Sequence, residues 1–374
     1  MDLFHPPFCA NQGCEHHDPA KDYSQYIAWG SYQTRTFGTV PRFRCLLCGK
    51  TFSSQTFRVD YYAKRLVDYE NLSQRISSCE SLSAIGRAIH ASTDSVSNRV
   101  SRAARQVLAL ESELQGSRTS NEDLAADGFE SFCVSQYFPN HITLLIGSDS
   151  QFVYAADHAA LRRKGRMTEE QRKKRKGFDA VFQPPPRAIE DSFALIALEM
   201  LRIKDDGIHH PLTLWTDEHQ AYPRALARNP HIARLLESGE ILHRTISSRK
   251  PRTLKNPLFP VNYLDREIRK DLHEHVRETV CFGRNVNRQM ERLTLYLFWH
   301  NYKKPHRARG RPESHALVAG YSQSQIEEKL PRVWTKRAWH SLIELADSME
   351  KVWRHLYSTP LAAQVDYLPA YALK

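Results

Sequence analysis

The spacing of apolar and polar positions changes along the chain, and each change of period marks a different kind of element. Between Ser81 and His90, Leu82, Ile85 and Ile89 recur three and four apart, the period of one helical face. Ala91-Ser92-Thr93 interrupts the pattern, and Asp94 to Arg102 reopens it behind good N-cap residues, so two short helices joined by a tight turn are predicted. From about Ser120 the period shortens: LAADGFESFCVSQYF, NHITLLIG and SQFVYAA read as three short strands linked by turns. IEDSFALIALEMLRI then reads as a helix and Leu212 to Thr216 (LTLWT) as a strand, with helical sequence resuming near Ala221. LDREIRKDLHEHVRETV and NRQMERLTLYLFWHNYKKPHRARGRP continue as helices. In the C-terminal stretch TKRAWHSLIELADSMEKVWRHLYS, the Trp, Leu and Met residues read as local helical core. Neither an internal repeat nor a nucleotide-binding Gly-rich loop occurs, so no nucleotide cofactor is implied.

Composition narrows the class. A chain of 374 residues with 41% hydrophobic positions can bury a sizeable core and divide into two or three domains. Fifty-three Lys and Arg against 42 Asp and Glu give a formal charge of +11, a balance suited to a polyanion, nucleic acid foremost. The N-terminus MDLFHPPFCANQGCEHH has no basic n-region and no apolar h-region, and no segment reaches the roughly 18 apolar residues of a membrane span. The expectation is a cytoplasmic, nucleoid-associated protein with no membrane partner.

In a reducing compartment paired cysteines more often hold metal than form disulfides. Here Cys9-x4-Cys14 and Cys45-x2-Cys48 form two knuckles about 30 residues apart, with Gly49 where a tight knuckle wants an unhindered backbone. This spacing predicts a Zn2+ site of four thiolates. His16 and His17 stand nearby as substitute ligands and read as solvated; Cys79, Cys133 and Cys281 are isolated and read as buried apolar residues. In the predicted helix pair that follows, Ser95, Ser97, Asn98, Arg99 and Arg102 lie on the second helix, as they would on one that enters a DNA major groove. The alternative is an ordinary helical hairpin with a solvated polar face.

Asp127 falls inside the first predicted strand, and Asp217 at the tip of the fourth. A lone strand-tip aspartate is usually an Asx turn or a helix N-cap. A carboxylate inside a strand, however, is costly unless it is paired or binds metal. Three antiparallel strands, a helix and another strand match the first half of a ribonuclease-H-like sheet, in which the first and fourth strands are neighbours and the two aspartates meet. Candidates for a third carboxylate are Glu291, four residues after Asn287 on one helical face, and Glu274 and Glu278 on the preceding helix; spacing does not decide. A basic insertion carries nine Lys and Arg between Arg162 and Lys176, among them Arg162, Arg163 and Lys164. It reads either as a solvated helix or as a contact for phosphates. His300, Asn301, Tyr302, His306 and Arg307 read equally as DNA-positioning residues and as a helix-ending turn closed by Pro305.

Taken together, Cys9, Cys14 and CLLCGKTF, ADGFES, LRRKGRMT, WTDEHQAYP, NRQMER and HNYKKPHR span most of residues 9 to 310, and in this order the chain resembles bacterial insertion-sequence transposases of the DDE type. The resemblance implies a multi-domain α/β protein. Its parts would be a zinc ribbon (1–58), a helix-turn-helix (59–118), a catalytic domain related to retroviral integrases (119–310, insertion near 160–187) and a helical C-terminal region (311–374). It implies a triad of Asp127, Asp217 and Glu291 holding Mg2+ or Mn2+, with double-stranded DNA, both element ends and target, as partner and a homo-oligomer assembled on it. The chain departs from the family in the long stretch between Asp217 and Glu291, which contains NPLFP. Two other classes compete: a transposase-derived DNA-binding regulator without catalysis, and a ribonuclease-H-like nuclease or resolvase that cuts without joining.

Overall fold

Two sheets organise the chain. The computed structural model describes residues 4–373 apart from 20–24, 117, 119, 120, 207–209, 278, 308–311, 362–367 and 369. Strands β1 (Tyr26–Thr34), β2 (Gly38–Cys45) and β3 (Thr51–Ser53) pair antiparallel in that order. Most of β1 is exposed, and the apolar interior of this small unit is a cluster built on Phe8, Phe52, Phe57 and the cysteines.

Helices α1 (Tyr69–Ser77), α2 (Leu82–Ala88) and α3 (Thr93–Gln115) follow. Each starts where the side-chain oxygen of Asp68, Ser81 or Ser92 accepts a backbone N–H three residues on. The turn between α2 and α3 requires glycine at position 86, because a Cβ there would lie 2.7 Å from the Ala91 carbonyl oxygen. The second helix of the pair was expected over Asp94 to Arg102 but runs on to Gln115. Its apolar face continues through Ala103, Val107, Leu110 and Leu114, which share one core with Leu124, Phe193 and Leu214. The expected boundary near residue 118 thus falls between segments that fold around a common core.

The second sheet takes the order β6-β5-β4-β7-β8. Strands β4 (Leu124–Phe132), β5 (Pro139–Gly147) and β6 (Val153–Ala160) form an antiparallel meander. After α4 (Glu169–Asp179) and α5 (Ala188–Asp205), β7 (Leu212–Thr216) returns parallel to β4, the kind of connection that needs a crossover helix. Helices α6 (Ala221–Ala227) and α7 (Pro230–Glu237) lead to β8 (Ile241–Thr245), parallel to β7. Every residue of β5 is buried, as a strand covered on both faces must be. Helix α5 packs on one face of the sheet; α8 (Phe259–Asp271) and α9 (Val286–Phe298) pack on the other. None of the described helices is long and apolar enough to cross a membrane.

Two helical expectations are corrected. Helix α8 ends at Asp271, and Glu274 beyond it is buried against Arg292 (Nε to Oε1, 2.7 Å). After α10 (His315–Val318) and α11 (Gln323–Lys329), the C-terminal region is not continuous helix: among the described residues three 3-10 turns (Leu330–Trp334, His340–Leu342 and Ala370–Leu373) and α12 (Asp347–Trp353) form. Residues 333–339 instead make a strap across α3. Gln106 donates to the Val333 carbonyl (2.9 Å) and accepts from the Ala338 N–H (2.7 Å), while the Arg337 N–H donates to the Phe57 carbonyl (2.9 Å). Trp339 then enters the N-terminal cluster, its ring 5.3 Å from Phe8 and 5.9 Å from Phe57. Trp339→Ala is expected to cost about 3–5 kcal/mol of local stability. Limited proteolysis should then release the N-terminal unit at a protease concentration that leaves the parent whole; equal resistance would refute the strap's role.

Candidate metal centre and acidic cleft

The knuckles between the N-terminal strands bring four thiols together. Cys9, Cys14, Cys45 and Cys48 lie with their sulfurs all within 4.8 Å of one another, with Cys9 Sγ 3.6 Å from Cys48 Sγ and Cys14 Sγ 3.9 Å from Cys45 Sγ. Such separations suit a tetrahedral metal with sulfur bonds of about 2.3 Å, and the donor set fits zinc. Burial pushes the Cys9 and Cys14 thiols up. Burial also acts on Cys48, but hydrogen bonds from the Lys50 backbone and from Asn11 outweigh it and bring Cys48 down to about 7. His16 and His17, expected in solvent, are buried: His17 bridges the Cys9 carbonyl and Ser341 Oγ, both at 2.7 Å, and His16 Nδ1 lies 3.6 Å from Cys45 Sγ. Of the isolated cysteines only Cys133 is buried; Cys79 is half-buried and Cys281 exposed.

The larger sheet builds a second site. Because β4 and β7 run parallel with Leu124 beside Leu214 and Ala125 beside Trp215, Asp127 and Asp217 each follow two residues later in the same direction. Both line one cleft of about 280 Å³, and the residue that joins them from the opposing helix is Asp265 of α8. The rim is basic, with Arg252, Arg269 and Arg277. Asp127 Oδ1 accepts the Gly128 N–H at 2.7 Å, and Asp217 Oδ1 accepts the His219 N–H at 2.8 Å in an Asx-type turn. Glycine at 128 is dictated by His141, whose ring would meet an added Cβ at 2.0 Å. Burial first, and then the negative charge of Asp217, pushes Asp127 up to about 6, with Asp265 adding to the effect. Asp265 is likewise raised by burial, against the pull of Arg269, Arg252 and Arg277, and its Oδ1 is buried without a hydrogen-bond partner. Asp265 Oδ2 pairs with Arg269 at 3.3 Å, which leaves its orphaned Oδ1 and the Asp127 and Asp217 carboxylates as the hard oxygen donors of the cleft. The carboxylates are spread around the cleft: among the described residues, only the cysteines close into a cluster with all ligand atoms within 4.8 Å.

Glu291 is not brought to this cleft. It is 1% exposed on α9, where Ser101 (2.5 Å), His355 (2.6 Å), Arg288 (3.0 Å) and Arg105 (3.3 Å) surround its carboxylate. The reason lies in helical phase: Glu291 falls on the buried side of α9 between Met290 and Leu293, whereas Asp265 sits one residue off the core positions Leu264 and Ile268 of α8 and so reaches the edge. Glu278 lies outside the described residues. Asp265 has a signal in the sequence, since the apolar face Leu258, Val261, Leu264 and Ile268 leaves Asn262, Asp265 and Arg269 together on one flank.

The residues expected to contact DNA divide. Asn98 is exposed, and Ser95 and Ser97 are half-buried. Arg99 donates to Tyr69 Oη (3.0 Å), and Arg102 to the carbonyls of Val59 (3.1 Å) and Tyr61 (2.6 Å), so both guanidiniums hold the helical unit together. His300, Asn301 and Tyr302 are corrected to structural roles. Asn301 pairs with both backbone groups of Val153, His300 with the Gln151 carbonyl (2.9 Å) and Tyr302 with Glu111 (2.9 Å), all in the interior. His306 contacts the Asp149 carbonyl (3.1 Å); Arg307 remains exposed. Arg162 pairs with Asp179 (2.7 Å), Arg163 stacks over Tyr137 (4.9 Å) and Lys164 is exposed, while α4 behind them buries no residue and is a solvated helix. No family model matches this sequence, and neither does any curated protein.

Two outcomes are expected. Purified protein should carry one zinc per chain by metal analysis, lost when Cys45 and Cys48 are both changed to Ser; unchanged zinc would refute the site. Glu291→Gln should destabilise the fold by about 3–5 kcal/mol in urea at pH 7, because it strands buried cations. Burial alone would raise the Glu291 pKa, but His355, Arg105 and Arg288 hold it at about 2, below its ordinary 4.5. Its contribution therefore stands in full above pH 4.5 and is lost as the pH falls through about 2. The gap between parent and variant should close across that window, and equal stability at pH 7 would overturn this role.

Proposed function

We propose that the chain is a DNA transposase of the DDE type: it binds the ends of a mobile element and performs metal-dependent cleavage and strand transfer from the acidic cleft. The observation that carries this reading is that Asp127, Asp217 and Asp265 line one cleft together with Arg252, Arg269 and Arg277. The strand order β6-β5-β4-β7-β8, with a meander and two parallel returns, supports a ribonuclease-H-like catalytic unit. Asp265, not Glu291, is the third carboxylate on this reading. The three aspartates would hold Mg2+ or Mn2+, which when bound stabilises charge on the attacking and leaving oxygens of an in-line phosphodiester displacement.

The chain's own residues set the rest of the chemistry. Arg252 and Arg277 face the anionic phosphodiester across the cleft, and the walls from Phe129 and Val261 limit water. No residue of the cleft is required to form a covalent intermediate: water first attacks the phosphorus at the element end and expels a 3'-oxygen. That 3'-hydroxyl then attacks a target phosphodiester and joins to it. The second turn of α3 presents Asn98 for reading bases, and the four-cysteine unit, docked by the strap, extends the binding surface.

Asp127→Asn, Asp217→Asn and Asp265→Asn should each abolish cleavage of labelled element ends and joining to a target plasmid, by at least a thousandfold, without lowering Tm. In the metal-free protein Asp127→Asn should raise Tm above pH 6, since it removes a carboxylate whose charged form is disfavoured there. Wild-type activity in Asp265→Asn would remove that residue from the site, and activity in all three would end the metal-dependent reading.

A further inference from the structure

The acidic cleft opens into a wider groove of about 790 Å³, and Glu130, Ile189 and His219 line both. The groove's floor is apolar, from Phe132, Leu161 and the run Pro184 to Pro186, and its rim carries Arg162, Arg163, Lys164, Arg187 and Arg224. Its two carboxylates already face other arginines: Glu130 lies 3.5 Å from Arg277 and Glu190 3.7 Å from Arg228. Arg162 is committed to Asp179, but Lys164 and Arg187 are exposed with no ion pair among the described residues, and Arg224 donates to Gln220 (3.2 Å). Arg187 is also held in the left-handed backbone region (φ 66°) between the three prolines and the start of α5, a conformation an arginine adopts only when its surroundings impose it.

We infer that this groove takes an unpaired strand of DNA leaving the cleft, its phosphates on Lys164, Arg187 and Arg224 and its bases against the apolar floor. The inference rests on the reading of the cleft as a phosphodiester-cutting site. Positive charge along a path lined by flat apolar and aromatic surface is what recognises unpaired nucleotides, whose bases offer faces that a duplex hides. Pockets that enclose single small ligands run from roughly 300 to 1,000 Å³, so the groove has room for a short run of nucleotides. A site of this kind engages flanking DNA that has melted next to the scissile bond. Arg187, which neither motif nor charge run singles out, becomes the residue that turns the strand from cleft to groove.

The test uses the full-length zinc-loaded chain without Mg2+, so that binding is read apart from chemistry. Fluorescent oligo-dT, a blunt duplex and the same duplex with an unpaired overhang are titrated between 50 and 200 mM salt. Changing Lys164, Arg187 and Arg224 together to Ala should weaken oligo-dT and overhang binding at least tenfold and the blunt duplex less than threefold. The slope of log affinity against log salt on oligo-dT should fall by about 2, three charges at about 0.7 each. Arg187→Gly alone relieves the backbone conformation, so its Tm should be unchanged or higher while oligo-dT binding drops. Changing Lys173, Lys174 and Lys176 of α4 to Ala should not discriminate among the probes. Equal losses on blunt and overhanging DNA, or none on oligo-dT, overturn the groove assignment. If the parent fails to cut any DNA but the triple variant still loses oligo-dT selectively, the groove stands and the proposed reaction falls.

Discussion

Two carboxylates placed side by side on parallel strands repel each other, and the sheet nevertheless fixes them there. The register that sets Leu124 beside Leu214 is enforced by apolar side chains on both faces, so neither Asp127 nor Asp217 can move away without unpairing β4 from β7. Raised proton affinity at Asp127 is the physical trace of that constraint. That repulsion costs stability in the metal-free protein, and rigid strands hold such groups more reproducibly than loops. Helix α8 closes the set because its apolar stripe docks on the same sheet and leaves Asp265 at the edge.

A second set of buried charges acts on the architecture. Glu291, Arg105, Ser101 and His355 connect α9, α3 and the C-terminal segment, with the Glu291 carboxylate bonded to the other three. Buried ion pairs add little net stability but are costly to break from one side, so they fix how elements sit more than how strongly they hold. Helix α3 is then the common rod: its first turns belong to the helical pair, its middle to the ionic cluster, and Gln106 on it anchors the strap that seats Trp339 among Phe8 and Phe57.

Much of this was legible in the chain. The strands from Leu124 to Ala160 and Leu212 to Thr216 follow from local period, and the cysteine pairs from spacing, because both are short-range patterns. The placing of Asp127 beside Asp217 was also within reach, since it needs only the strand order. What escaped depends on phase and on distant partners. Glu291 and Asp265 are both helical carboxylates; only the direction of each apolar stripe relative to the sheet separates an internal ion cluster from a cleft wall. Resemblance favoured the motif-bearing Glu291, and packing places Asp265 at the edge instead. Likewise Arg99, Arg102, His300, Asn301 and Tyr302 look available in sequence because polar residues usually face water, yet each is taken by a backbone or side-chain partner far along the chain. The stretch from Thr335 reads as helix because Trp339, Leu342 and Leu345 have helical spacing, while Trp339 gains more by filling the aromatic cluster.

The contrast between the two acidic groups explains how one chain holds carboxylates for opposite ends. Around Glu291 the carboxylate faces Arg105, Arg288 and His355, and its pKa falls. Around Asp127, Asp217 and Asp265 the one arginine paired to a carboxylate is Arg269, on Asp265 Oδ2, the pKa values of Asp127 and Asp265 rise, and Asp265 Oδ1 has no hydrogen-bond partner among the described residues. Burial is shared by both; what differs is whether the protein itself completes the coordination. A site that leaves it incomplete keeps a position for a ligand from outside, and the basic groove beside it supplies the path along which a polyanion would bring one.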